Sequence, residues 1–390
     1  MSETQKHTKP NVPNLRFPGF EGEWEVRSLG GIVDIRSGVS PTGIVDKQGT
    51  IPYYKVEQLN NCFIELGETP YFAMEDLIPA YSIVFPKRGA AIMTNKIRLS
   101  SHPCQLDTNL MALTVKDDRV DYRFLFYFLQ RCQLSKIADT STIPQINNIH
   151  INPIRVHLPS MLEQKKIASF LYSIDKMIET QIKVIEHYES LIRAIILRTQ
   201  LAFSRRKVYL RDILTERKEL NELGYDICSV SVSKGVVNQV EYLGRSYAAK
   251  ETTHYHVVHK GDIIYTKSPT GEFPYGIIKQ SYLDSPVAVS PLYGVYEPTD
   301  YLTGVYLHHF FCSPQNAKNY LHKLIQKGAK NTINITNQHF LDNYIFLPEP
   351  EQLSLTVSAI EALSAIVTNE HQMLSYLKQQ KDFFLSSLFV

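Results

Sequence analysis

The chain repeats part of its own sequence, and this repeat limits the possible folds more than any other feature. INNIHINPIRVHLPSMLEQ (146–164) is echoed by INITNQHFLDNYIFLPEPEQ (333–352) at an offset of 189, which places Asn148 on Asn337 and Leu158 on Leu347. One deletion then aligns Gln164 with Gln352. A repeat of this length indicates a tandem duplication, in which two similar domains follow one another.

Two shorter pairs occur in the same order upstream. SIVFPK (82–87) matches DIIYTK (262–267) at an offset of 180, and VRSL (26–29) loosely matches LRDI (210–213) at 184. Offsets that differ by a few residues indicate loop insertions between otherwise equivalent blocks. Three ordered blocks make chance similarity the minority interpretation.

Each copy of the longer block leads into a segment with heptad spacing of apolar residues, which is typical of a coiled coil. The predicted seam consists of Ile167, Leu171, Ile174, Ile178, Ile185 and Ile192 in the first segment and Ile360, Leu363, Val367, Leu374 and Leu377 in the second. Glu370 and Lys381 interrupt the second stripe. The pattern favours two long helices that pair antiparallel as a rod of roughly 57 Å, although an ordinary core helix remains the alternative.

The remaining sequence is rich in short β-branched and aromatic runs separated by turns. One apolar helix is expected in each half, at 122–131 and 306–313. We therefore predict an α+β chain with pseudo-twofold symmetry, in which two domains with mixed sheets are separated by the two helices. The predicted boundaries are an N-terminal arm (1–23), a first domain (24–158), a first helix (159–204), a second domain (205–347) and a second helix (348–390).

Composition names no partner by itself. The formal charge is only +2, which is far from the strongly basic balance of many nucleic-acid binders. No apolar run approaches the 18 or so residues that cross a bilayer, no signal peptide is visible, and the five cysteines lack CxxC spacing. These features predict a soluble, cytoplasmic protein without a disulfide framework or zinc site.

Motifs for catalysis are weak. Glu216 and Lys218 form an ExK pair, which metal-dependent nucleases use, but no upstream residue completes the motif and a polar surface is the favoured interpretation. His254, His256 and His259 lack a nearby Cys or carboxylate partner, so surface histidines are expected rather than a metal site. We predict no catalytic residue and no metal ligand in this chain.

PNLRFPGFEGEW (13–24) resembles the N-terminal signature of specificity subunits of type I restriction-modification systems, and LPSMLEQKKIASFLYSID (158–175) is similar to their spacer helix. The resemblance spans the whole chain. It implies two target-recognition domains that each read half of a bipartite, asymmetric sequence in double-stranded DNA, and helices that dock two methyltransferase subunits. It further implies restriction and motor subunits in the complex, with S-adenosylmethionine, ATP and Mg²⁺ bound by those partners and no cofactor in this chain.

Local basic and amide residues are the candidates for DNA contact, since Arg and Lys suit phosphates and guanine and Asn suits adenine. They are Lys87, Arg88, Asn95, Lys96 and Arg98 in the first half and Lys267, Ser268, Lys330, Asn331 and Asn334 in the second. Two alternatives remain open. One is a coiled-coil scaffold that reads no DNA, and the less favoured one is a self-contained nuclease that uses Glu216 and Lys218.

Overall fold

A computed structural model describes residues 11–42, 48–60, 63–74, 77–140, 142–202, 205–243, 251–327 and 333–390. The chain divides into two compact units. The first contains the residues up to Lys183 together with His371–Val390, and the second is Val184–Glu370. Within the described residues, no helix is both long and apolar enough to cross a membrane.

The first unit contains short strands and three short helices ahead of a long one. The strands are β1 (Glu25–Ser28), β2 (Val33–Ser37), β3 (Ile51–Tyr54), β4 (Phe72–Ala73), β5 (Ile83–Pro86), β6 (Arg98–Leu99), β7 (Gln105–Leu106), β8 (Leu110–Val115) and β9 (Arg155–Leu158), and the helices are α1 (Leu29–Ile32), α2 (Tyr122–Cys132) and α3 (Asn148–Ile151). An antiparallel sheet has the order β2-β8-β5-β6. The sheet β4-β3-β7 is mixed, because β3 and β7 run parallel.

Helix α2 shows why these residues form their element. The Asp121 carboxylate caps the helix by accepting bonds from the amides of Arg123 and Phe124. The aromatic and aliphatic side chains from Phe124 to Leu129 are buried in the main core of the unit. Because an apolar helix must bury its surface, α2 packs where the sequence predicted a buried helix.

The second unit repeats this plan with insertions. Its strands are β10 (Arg205–Tyr209), β11 (Leu214–Glu216), β12 (Cys228–Ser231), β13 (Gly235–Asn238), β14 (His256–Val258), β15 (Ile263–Tyr265), β16 (Ile278–Gln280), β17 (Val287–Val289), β18 (Gly294–Pro298), β19 (Gln326–Lys327), β20 (Ile333–Asn334) and β21 (Tyr344–Pro348). Its short helices are α5 (Gln239–Leu243), α6 (Tyr301–Phe311), α7 (Pro314–His322) and α8 (Asn337–Phe340). The antiparallel sheet has the order β11-β18-β15-β16.

The two sheets match strand for strand, which confirms the predicted duplication. The order β2-β8-β5-β6 corresponds to β11-β18-β15-β16. Strands β5 and β15 begin 180 residues apart, as the SIVFPK and DIIYTK pair predicted. Helices α3 and α8 begin 189 residues apart, as do β9 and β21.

Two details of the predicted alignment are wrong. The amides of Leu29 and Leu210 donate to the carbonyls of Ile154 and Asn343, which are themselves 189 residues apart, so Leu29 is equivalent to Leu210 at an offset of 181 and not 184. The long helices begin at Met161 and Pro350, also 189 apart, so no deletion precedes the start of the second helix. Leu353 and not Gln352 therefore stands at the position of Gln164.

The long helices are α4 (Met161–Leu201) and α9 (Pro350–Ser387), and each unit contains part of both. In the first unit the beginning of α4 packs against the end of α9, and in the second the end of α4 packs against the beginning of α9, so the pairing is antiparallel. The buried seam residues are Ile167, Leu171, Ile174, Ile178, Ile185, Ile192 and Ile360. Leu363, Val367, Leu374 and Leu377 are partly buried against the same cores.

Candidate nucleic-acid interface

Equivalent lysines follow equivalent central strands in the two units. Lys87 comes directly after β5, and Lys267 follows β15 after one intervening residue, at the offset of 180 that relates the two strands. Both are half-buried, and burial lowers the pKa of each; Arg88 adds to the effect at Lys87, while the carboxylate of Glu216 opposes it at Lys267. The shared fold thus presents one cation at the same strand end twice.

The backbone around Lys87 is firmly tied to its neighbours. Its amide donates to the carbonyl of Asn109 at 2.8 Å, and its carbonyl accepts from the amide of Ile146 at 2.8 Å. The backbone of Arg88 forms an isolated antiparallel β-bridge with Gln145, and the side chain of Arg88 is exposed. The predicted pair is therefore held beside the first copy of the repeated block, with one cation half-buried and the other in solvent.

Asn95 makes hydrogen bonds within the first unit. It lies in the left-handed region with φ 47°, at the end of a 3-10 helix (Ala90–Thr94). Its Nδ2 donates to the carbonyl of Gln130 at 2.9 Å, and its Oδ1 accepts from the amide of Leu134 at 3.3 Å. Both ends of this amide thus bond to the end of α2 and the residues just after it, with one donor and one acceptor position left over, and contact of Asn95 with adenine stays a prediction.

The other two candidates of this loop contact different groups. Lys96 donates to the side-chain oxygen of Asn60. Arg98 donates to the carbonyl of Ile97 at 2.8 Å and lines a groove of about 310 Å³ that includes Lys378 and Lys381 of α9. Lys96 and Arg98 therefore have different partners although they are close in the sequence.

Sequence reasoning missed a buried polar cluster beneath this groove. Lys381 Nζ lies 2.6 Å from Asp175 Oδ1, and Tyr127 donates its hydroxyl proton to Asp175 Oδ2 at 2.9 Å. The Asp175 side chain is fully buried and Lys381 is 12% exposed. Burial raises the pKa of Asp175, and Lys381 and Tyr127 oppose the rise. Lys381, predicted only as an interruption of the seam, is the counter-charge of a buried carboxylate in α4.

In the second unit the polar candidates are dispersed. Asn337 Nδ2 donates to Glu216 Oε1 at 2.9 Å, whereas Lys218 is exposed. Ser268 is exposed beside Lys267. Lys330 and Asn331 lie outside the described residues; Asn334 pairs with Gln326 through the backbone, and its side chain is not among those described.

The three histidines contact different groups. His256 Nδ1 lies 3.1 Å from the carbonyl of Tyr293, His259 Nε2 lies 2.7 Å from Glu219 Oε2, and the ring of His254 packs against Tyr255. Across the described ranges, no group of three or more His, Cys, Asp and Glu side chains is placed to hold a metal ion.

Comparison with known proteins shows which proteins this chain is similar to. Residues 21–187 match the family model described as the type I restriction modification DNA specificity domain. The comparisons thus relate residues 21–187 of this chain to the specificity subunits of type I restriction-modification systems. Two curated relatives from Methanocaldococcus jannaschii are the type I restriction enzyme MjaVIII specificity subunit, 28% identical over 183 residues, and the MjaIX specificity subunit, 24% identical over 184 residues. These alignments cover 43% of this chain and 43% and 42% of the relatives, so less than half of each relative is matched.

Solved structures extend the likeness in fold to almost the whole chain. The S subunit of a type I restriction-modification system from M. genitalium has a TM-score of 0.56 at 14% identity, over 97% of this chain and 99% of that one. A chain from a structural study of complex assembly and conformational transition of the type I R-M system has a TM-score of 0.52 at 13% identity, over 96% and 99%. The likeness to these two structures shows a shared α+β architecture with two long helices.

The N-terminal segment that resembles the family signature is tied to α4 in the first unit. The Arg16 guanidinium donates two bonds to the Glu163 carboxylate, at 2.7 and 2.8 Å, and further bonds to the carbonyls of Glu21 and Gly22. The ring of Phe17 packs edge-on against Phe170 at 5.5 Å. The predicted N-terminal arm is therefore, from residue 11, an anchored part of the first unit.

Proposed function

We propose that this chain reads a bipartite, asymmetric sequence in double-stranded DNA, with one recognition domain for each half. The observation that carries the proposal is that Lys87 and Lys267 follow equivalent strands, β5 and β15, of the two matched sheets. A duplicated scaffold supplies the same position for a phosphate or base contact twice, while the loops around it differ and can read unlike bases.

The long helices are the proposed docking surfaces for two methyltransferase subunits. Several large apolar side chains point outward from them rather than into the seam. They are Met177 and Leu191 of α4, at 49% and 38% exposure, and Met373, Tyr376 and Phe383 of α9, at 51%, 59% and 59%. Exposed apolar side chains of this size support a role in binding protein partners.

We also propose that the chain is a non-catalytic part of its complex. S-adenosylmethionine would be bound by the methyltransferase subunits, and ATP with Mg²⁺ by the restriction and motor subunits. In this chain the carboxylate of Glu216 accepts a bond from Asn337, which is an ordinary structural use of the residue and gives the nuclease alternative no support.

Footprinting tests the proposal. The chain is co-purified with its methyltransferase and bound to a library of random duplexes, and protected bases are mapped. Two blocks of base-specific protection separated by an indifferent stretch are expected. One continuous block would contradict bipartite reading. No protection by a complex that is otherwise assembled would contradict DNA reading and favour the scaffold alternative.

The strand-end lysines give a sharper test. Lys87→Ala with Arg88→Ala is expected to weaken binding in one block, and Lys267→Ala in the other, with a lower salt dependence in each case. Lys116→Ala is the matched control, since Lys116 is an exposed lysine of the first unit just beyond β8. Equal losses in the control and the strand-end variants would count against the assignment.

A further inference from the structure

The ribbon formed by β10 and β21 carries an unusual outer face. Lys207 lies opposite Phe346 and Tyr209 lies opposite Tyr344 in the antiparallel register. The intervening Val208 is buried, as are Ile345 and Leu347 on the other strand. Because side chains alternate along a strand, Lys207, Tyr209, Tyr344 and Phe346 share the face that points away from the core.

On this face each cation lies over an aromatic ring. The guanidinium of Arg205 is 4.4 Å from the ring centre of Phe346, and Lys207 Nζ is 4.0 Å from that of Tyr344. The guanidinium of Arg211 is 4.6 Å from Tyr209, and Lys323 Nζ at the end of α7 is 5.2 Å from Tyr344. We call Arg205, Lys207, Arg211 and Lys323 the ribbon patch. Cation–π contacts hold these long side chains in place without neutralising them.

The ribbon patch has little counter-charge. Within the part of the chain that the structure describes, Arg205, Lys207 and Lys323 take part in no ion pair, and Arg211 lies 3.7 Å from Asp342 at one end of the patch. A strip of fixed, unpaired cations raises the local potential even though the net charge of the chain is only +2.

The fold does not require this face. In the equivalent ribbon of the first unit, β1 and β9, the positions of Lys207 and Tyr209 are taken by Val26 and Ser28. The positions of Tyr344 and Phe346 are taken by Arg155 and His157. An equivalent ribbon thus forms without the aromatic and cationic pairs, so their presence in the second unit calls for a separate explanation.

We propose that the ribbon patch binds the sugar-phosphate backbone of duplex DNA and reads no bases. Arg and Lys are the side chains that contact phosphates, and Arg does so with two parallel bonds. The rings are covered by the cations of the patch itself, so they orient charged groups rather than stack on bases. This inference rests on the proposed function. The ribbon patch would make a second, sequence-independent contact with the DNA that the recognition domains read.

The experiment uses the full chain co-purified with its methyltransferase and a 40-base-pair duplex of mixed sequence as the probe, with affinity measured from about 0.05 to 0.3 M salt. The test variant is Arg205→Gln, Lys207→Gln, Lys323→Gln. The control Arg27→Gln, Lys116→Gln, Arg155→Gln removes the same charge from the first unit. A charge-retaining variant, Arg205→Lys, Lys207→Arg, Lys323→Arg, keeps the patch cationic.

The test variant is expected to bind at least about tenfold more weakly at 0.1 M salt, and the slope of log affinity against log salt is expected to fall by about 0.9 for each phosphate that the variant no longer neutralises. The control and the charge-retaining variant should bind like the wild type. Unchanged DNA affinity and an unchanged salt slope in the test variant would overturn the inference. The inference would also fail if the patch bound polyglutamate while its substitution left DNA binding unaffected.

Footprints keep this inference separate from the proposed function. If the wild type shows two protected blocks and the test variant has the same blocks at the same affinity, only the ribbon inference fails. If the wild type shows no blocks while the test variant loses non-specific binding, bipartite reading fails and the ribbon contact stands.

Discussion

Lys381 neutralises a carboxylate that the fold has removed from water. Asp175 is fully buried and touches Lys381 at 2.6 Å and Tyr127 at 2.9 Å. Removing one partner of a buried pair leaves an uncompensated charge, which costs more than the pair itself contributes. We predict that Lys381→Met lowers the free energy of unfolding by roughly 3 kcal/mol in urea titrations.

The chain offers a control for this prediction. Lys378 lines the same groove with an exposed side chain, so Lys378→Met should change stability by less than about 0.5 kcal/mol. The double variant Asp175→Asn, Lys381→Met should lose less than the sum of its parts, because the uncompensated charge is gone. Equal effects of the Lys381 and Lys378 substitutions would show that the contact is not formed.

His308 makes the second unit sensitive to acid. Its Nδ1 accepts the amide proton of Gln280 at 3.0 Å, and its ring packs edge-on against Tyr282. Burial, with a smaller effect of Lys279, lowers the pKa of His308 to about 3, while a histidine in the unfolded chain titrates near 6.5. Since the unfolded state takes up the proton first, stability is intact above pH 6.5 and is lost progressively as the pH falls toward 3.

The predicted acid sensitivity is measurable above the range in which carboxylates titrate. Between pH 7.5 and 5.5 the unfolding free energy should fall, with His308 contributing at most about 1.4 kcal/mol per pH unit. His308→Asn keeps an acceptor for the amide of Gln280 but cannot be protonated, so its slope should be shallower by up to one proton. His309, whose pKa burial and His308 also lower to about 3, accounts for a remaining slope. An unchanged slope in His308→Asn would rule out His308 as its source.

Among the elements, the N-terminal segment is held to α4 by a buried ion pair of Arg16. Arg16 reaches the Glu163 carboxylate, which is 2% exposed, and the carbonyls of Glu21 and Gly22. We expect Arg16→Ala to cost roughly 3 kcal/mol and to expose residues 11–23 to proteases, since Glu163 would stay buried without its partner. Arg16→Lys should recover only part of this, because an ammonium cannot form the two parallel bonds.

The matched control for this element is Arg27→Ala. Arg27 pairs with Glu25 at 2.6 Å, but both side chains are exposed to solvent, at 38% and 56%. Surface pairs of this kind contribute about 0–1 kcal/mol. Cleavage near residues 11–23 that is as fast in the wild type as in Arg16→Ala would contradict the anchoring role.

The sequence predicted those elements whose signal is local or repeated. Helix α2 was predicted from its apolar density and the long helices from their heptad spacing, and both signals lie within the element itself. The sheet order was not predicted, and neither was the partnership of Asp175 with Lys381, because the partners are some 200 residues apart in the chain. The 26–29 block was misaligned because four residues carry too little information to fix an offset.

Site residues were harder to predict than elements. Lys87 and Lys267 could be paired because the repeat itself links them. The bond of Asn95 to the carbonyl of Gln130 was not predicted, because only the folded chain brings the two residues close. The ribbon patch did leave a signal, RRKVYLR (205–211), in which Arg205, Lys207 and Tyr209 share one strand face, but charged strand residues are too common to be singled out without the opposite strand.

For the whole molecule, the two halves share a scaffold and differ on their surfaces. Lys87 and Lys267 follow equivalent strands. On the ribbons, however, the first half has Val26 and Ser28 at the positions that Lys207 and Tyr209 occupy in the second half. Duplication followed by divergence of the surfaces suits a protein that meets two unlike sequences, because the shared core keeps each half folded while its loops change.

The helices are the element by which the proposed function can be tested on the whole chain. We predict that deleting one heptad from α4 and one from α9 shortens the preferred gap between the two half-sites by about three base pairs, since seven residues span about 10.5 Å and a base pair rises 3.4 Å. Seven residues are nearly two helical turns, so the seam keeps its face toward its partner. Three base pairs also rotate one half-site by about a third of a turn, so methylation of the original target should fall.

Sequencing the sites methylated from a library with gaps of every length gives the optimum directly. A substitution-only variant with two exposed helix residues changed controls for stability. An optimum that stays at the original gap after the deletion would show that the helices do not set it.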